Sequence, residues 1–70
     1  MKNIITKREK EIFELLIENK STKDISNILN ISEKTVRNHI SNVMQKLDVI
    51  NRSNAIIELI RLNELNIKKS

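Results

Sequence analysis

The sequence predicts an all-α domain built from four short helices. Three features carry that expectation. Apolar residues recur at helical spacing in four separated stretches, and N-cap signatures stand at the starts of those stretches. The chain contains no glycine and no proline, so its turns fall to Asn19, Asn30, Asp48 and Asn63, side chains that tolerate the left-handed backbone region. Seventy residues make one small domain, spanning 1–70, with too little interior for a catalytic pocket plus its scaffold. A binding module is expected, not an enzyme.

Residues 1–5 form a short arm with no strong local signal. Thr6 followed by Glu9 reads as a capping box, in which the hydroxyl takes the glutamate's N–H and the carboxylate reaches back to the cap. A first helix over 7–18 follows, burying Ile12, Phe13, Leu16 and Ile17 with Leu15 beside them. Lys7, Arg8, Lys10, Glu11, Glu14 and Glu18 make its solvated side. After a turn at Asn19 and Lys20, Ser21 and Asp24 repeat the cap signature with a shorter acid, opening a second helix over 22–29. Ile25, Ile28 and Leu29 are its packing positions, and Ser26 is small where another helix must pass closely. Asn30 ends it.

The third helix, over 33–47, is the centre of the chain. Val36, Ile40, Val43, Met44 and Leu47 lay one apolar stripe along it, Ser32 is placed to accept from the Thr35 N–H, and Ile31 can staple onto Val36. The opposite side carries Lys34, Asn38, Ser41 and Gln45, flanked by Arg37 and Asn42. That is a mixed set of donors and acceptors, suited to reading base edges. Asn51 or Ser53 then caps a fourth helix over 52–62. At 100° per residue its apolar set, Ala55, Ile56, Ile57, Leu59, Ile60 and Leu62, covers an arc of about 220°, more than one core contact uses. One face should close the core and another should meet a copy of the chain in a two-fold dimer, with Ile56, Ile57, Leu59 and Ile60 as the interface. The tail from Asn63 is expected to fray after Leu65 or Ile67.

Charge and composition narrow the partner. The formal net charge is +4, and residues 20–52 hold six bases against three acids, so the excess lies around the third helix. One phenylalanine and no tyrosine or tryptophan argue against stacking platforms for single strands or RNA, and duplex DNA fits better. With no cysteine there is neither disulfide nor thiolate metal site, and the lone His39 does not make a zinc site; no metal or cofactor is expected. His39, at the edge of the apolar stripe, reads as a structural histidine hydrogen-bonded between helices. No apolar run approaches the roughly 20 residues that span a bilayer, and the charged start lacks a signal peptide's apolar region. A cytoplasmic, nucleoid-associated protein of bacterial type is expected, with no membrane partner.

Helix, a turn of about three residues, and helix, with apolar residues at Ile25, Leu29, Ile31, Val36 and Ile40, is the spacing of a helix-turn-helix. The wider pattern, TKREKEIFELL, then STKDISNILNISEKTVRNHISNVMQKLDV, then NRSNAIIELIRLNEL, resembles the LuxR/GerE-type DNA-binding domain along almost the whole chain. The matching residues include Thr6, Glu9, Ser32, Thr35, Val36, His39, Lys46, Leu47 and Arg52. Asn19, Asp48 and Asn63 depart from it, standing where the family often has glycine, and Ser26 replaces a usual alanine. The resemblance implies four helices, the third in the major groove, and dimerisation commonly through the fourth.

It also implies that Arg37, Asn38 and Ser41 reach base edges, Arg37 through a bidentate contact to guanine and Asn38 to adenine. Lys34 and Thr35 at the start of the third helix, and Thr22 and Lys23 at the start of the second, are placed for the DNA backbone. Lys46 and Arg52 match basic positions of the family and join that set. The competing account for each is ordinary surface solvation. Glu33 would sit near phosphates, where it either serves the helix N-terminus or discriminates among bases. Two other functional readings stand beside DNA binding: a module docking on RNA polymerase or a sigma factor through the fourth helix, and the excised C-terminal domain of a longer response regulator, against which the initiating methionine argues.

Overall fold

The computed structural model describes residues 4–65, which run through α1 (Lys7–Ile17), α2 (Thr22–Leu29), α3 (Glu33–Leu47) and α4 (Arg52–Arg61). Each start is chemically marked. Thr6 Oγ1 accepts the Glu9 N–H at 3.1 Å while Glu9 Oε1 accepts the Thr6 N–H at 2.8 Å. Ser21 and Asp24 make the same reciprocal pair at 3.0 and 3.2 Å. Ser32 Oγ accepts the Thr35 N–H at 3.0 Å, and Asn51, the cap of α4, accepts the Asn54 N–H at 2.8 Å. Every such bond satisfies a donor that the first helical turn leaves unpaired.

The ends follow equally local rules. Asn19, Asn30, Asp48 and Asn63 all take positive φ, between 57° and 68°, so the four expected turn residues carry the left-handed geometry in a chain without glycine. α2 and α3 occupy the predicted spans. α1 and α4 stop one residue short, because Glu18 and Leu62, with ψ of 9° and 5°, serve as C-caps.

α3 packs against each of the other three helices. Val36, Ile40 and Val43 of its stripe are buried among Ile12 and Phe13 of α1, Ile25 of α2, and Ala55 and Leu59 of α4, with Met44 and Leu47 packed at the margin. Each large side chain so buried stabilises the fold by about 1.5 to 3 kcal/mol. Ser26 is buried as expected, its hydroxyl donating to the Lys23 carbonyl at 2.7 Å.

Several expectations need correction. Ile28 is not a packing position; it is 53% exposed. On a helix advancing 100° per residue, the buried arc of α2 runs through Ile25, Leu29 and Ser26, and Ile28 lies about 110° from its middle. Ile5, in the arm without a strong local signal, is buried in the core, and Leu65, the first of the two residues after which fraying is expected, is buried too. Both segments close the same side of the domain, where the Ile4 N–H donates to Glu64 Oε2 at 3.4 Å. Ile67 lies outside the described residues. His39 is half-buried but, among the described residues, its side chain makes no hydrogen bond, so the bridge expected of it between helices is not formed.

Candidate nucleic-acid interface

Because one side of α3 is held in the core, its other side is presented to solvent at a fixed angle. Lys34, Arg37, Asn38, Ser41, Asn42 and Gln45 are all exposed on it. Among the described residues, no other part of the molecule covers this row. A helix that is anchored through Val36, Ile40 and Val43 and open on its polar half can enter a duplex major groove, which is wide enough for an α-helix.

At the leading end of the row, Glu33 joins the two helices of the motif. Its Oε1 accepts from the Thr22 hydroxyl at 3.4 Å and from Arg37 Nη1 at 3.3 Å. Thr22 is thereby linked to α3, whereas Lys23 beside it is exposed. Thr35 is more constrained than its position suggested. Its N–H is occupied by Ser32 Oγ, and its hydroxyl lies 2.9 Å from that same oxygen. Of the N-terminal pair, Lys34 is the side chain left free to meet an anion.

Lys46 holds a different post. Its Nζ lies 2.6 Å from Glu9 Oε1, and Glu9 is only 4% exposed, so one carboxylate closes the capping box of α1 and clamps α1 to α3. Burial raises the Glu9 pKa, but the Lys46 hydrogen bond, the Thr6 N–H and the ammonium's charge outweigh it and bring the carboxyl below its ordinary value. Lys46 remains 36% exposed, yet its charge is largely answered within the fold. Arg52 stands exposed as the first residue of α4. The structure thus brings Lys34, Arg37, Asn38 and Ser41 onto one open face, ties Thr22 to it through Glu33, and turns Lys46 toward α1.

The expected dimer residues divide. Leu59 is fully buried in the core together with Ala55, so it is removed from any interface between copies. It lies about 40° from Ala55 around α4, on the face that meets α3. Ile57, roughly on the opposite side, is 63% exposed, and Ile56 and Ile60 flank the core half-buried. Among the described residues no helix is long and apolar enough to cross a membrane, and no group of three or more histidine, cysteine or acidic residues could hold a metal ion.

A short second helix bracing a third whose polar half is open, with α1 and α4 closing the core behind, defines a helix-turn-helix domain of the DNA-binding class. The chain belongs to the luxR family of bacterial regulatory proteins, whose family model matches residues 3–59. It is similar to the spore germination protein GerE of Bacillus subtilis, at 61% identity over 66 residues that cover 94% of this chain and 89% of that one. It is 44% identical over 59 residues to the transcriptional regulatory protein DegU of Brevibacillus brevis, covering 84% of this chain but 25% of DegU. The solved structure of the transcription factor GerE superposes with a TM-score of 0.93 at 61% identity, covering 96% of this chain and 100% of that one. The protein is a DNA-binding transcription regulator of this family and not an enzyme.

Proposed function

We propose that the chain acts as a homodimer, each copy placing α3 in the major groove of duplex DNA, with two half-sites about 10 bp, or a multiple of that, apart. The observation that carries this reading is the exposed row of Lys34, Arg37, Asn38 and Ser41 on a helix whose other side is fixed in the core. Arg37, Asn38 and Ser41 read bases. Lys34, Lys23, Arg52 and the Thr22 hydroxyl meet the backbone, with Thr35 and Lys46 contributing less because their donors already have partners. Exposed Ile57, with Ile56 and Ile60 beside it, supports pairing through α4. The name GerE carries a role in spore germination for that relative, and a regulator acting at the nucleoid of a bacterial cytoplasm is the matching role for this one.

The test begins with selection of duplexes from a random pool by the purified chain. Arg37→Ala should then lose about 1 to 3 kcal/mol on a selected duplex and far less on a scrambled one of the same composition. Equal losses on both would remove Arg37 from base reading. Sedimentation of the free and DNA-bound chain tests the dimer. A species that stays monomeric at high concentration and on DNA would instead leave the Ile57 face to RNA polymerase or a sigma factor.

A further inference from the structure

We propose that Glu33 is a positioning residue for Arg37 and sets how strongly sequence-independent attraction competes with base reading. This rests on the DNA-reading function proposed above.

The geometry is a single shared atom. Glu33 Oε1 takes Arg37 Nη1, from one turn further along α3, and the Thr22 hydroxyl, from the first residue of α2. The oxygen that restrains the arginine is therefore itself restrained from the bracing helix. Glu33 is also the first residue of α3, where the positive end of the helix dipole favours a carboxylate, and an acid four residues ahead of a base is the favourable order for such a pair. Both side chains remain open, Arg37 at 56% and Glu33 at 42%, so the contact can be displaced.

The two kinds of DNA contact respond differently to that neighbour. A guanidinium carries five N–H donors, and Glu33 engages one nitrogen, leaving the rest of the fork for guanine O6 and N7. A phosphate is drawn by net charge, which the adjacent carboxylate cancels at short range and opposes with its own repulsion. Glu33 thus lowers the value of Arg37 as a counter-ion for any backbone while keeping its fork aimed along the exposed row.

Wild type, Glu33→Gln, Arg37→Ala and the double variant are titrated across a salt series against a duplex selected by the wild-type chain and a scrambled duplex of the same composition. Glu33→Gln preserves shape and removes the charge. It should tighten scrambled binding about five- to tenfold near 0.1 M salt and steepen the salt slope by about 0.9. The selected duplex gains less, because there Arg37 already engages a base and only the carboxylate's own repulsion is relieved, so the selected-to-scrambled ratio falls. In the Arg37→Ala background the same substitution should leave the ratio unchanged. A Glu33→Gln protein with wild-type ratio and slope, alongside an Arg37→Ala protein that has lost its ratio, overturns the role of Glu33 and leaves the DNA-reading function standing. An Arg37→Ala protein that keeps the wild-type ratio removes Arg37 from base reading, and the role of Glu33 falls with it.

Discussion

Two carboxylates near helix starts each pair with a base from α3, and they do opposite work. Glu9 is buried and holds Lys46 at 2.6 Å while closing the cap of α1; Glu33 is open and holds Arg37 at 3.3 Å. Where water is excluded, losing one partner strands the other, so the Glu9 pair behaves as a clamp. Where water competes, the pair contributes little to stability and its geometry can yield to a ligand. One helix thus carries a cation committed to the fold and a cation open to a ligand.

The largest effect that sharpens this contrast is on stability. Lys46→Ala should cost about 1 to 3 kcal/mol in urea denaturation, because it leaves the Glu9 carboxylate buried without its cation. The ratio of selected to scrambled DNA binding should stay at the wild-type value. A Lys46→Ala protein as stable as wild type would break the contrast by showing that Thr6 alone satisfies Glu9.

A second, intermediate effect appears with pH. The folded pKa of Glu9 lies below its unfolded value, so its stabilisation is present above the ordinary carboxylate range and is lost as pH falls through the lowered folded value. Glu9→Gln should flatten that acid limb when thermal midpoints are followed from neutral pH downward. An unchanged limb would assign it to other carboxylates. The smallest effect belongs to Glu33→Gln, whose unfolding free energy should stay within about 0.5 kcal/mol of wild type, as for exposed pairs generally.

Much of this architecture was legible in the sequence because it is written locally. A hydroxyl three residues ahead of its partner caps α1, α2 and α3, and asparagine or aspartate at four turns marks where the backbone must reverse. The exposed row of α3 follows from the same periodicity that buries Val36, Ile40 and Val43. What depends on distant segments was not legible. Glu9 and Lys46 lie 37 residues apart, and nothing in either stretch announces their contact. The Thr22 to Glu33 bond likewise needs α2 and α3 already docked; only the i, i+4 spacing of Glu33 and Arg37, a signal the sequence reading did not use, pointed to the other contact of that carboxylate. Leu59 was drawn into a proposed interface because an apolar arc of about 220° does not say which part faces the core. Ile5 and Leu65 lie beyond the helices, where no periodicity speaks for burial.

The most direct measurement is methylation interference on a selected duplex, since dimethyl sulfate marks guanine N7 in the major groove and adenine N3 in the minor groove. With α3 reading the major groove, N7 methylation at a guanine of each half-site should block the wild-type chain, and that guanine should cease to matter for Arg37→Ala. Binding indifferent to N7 methylation at every guanine, but blocked by adenine N3 methylation, would contradict it.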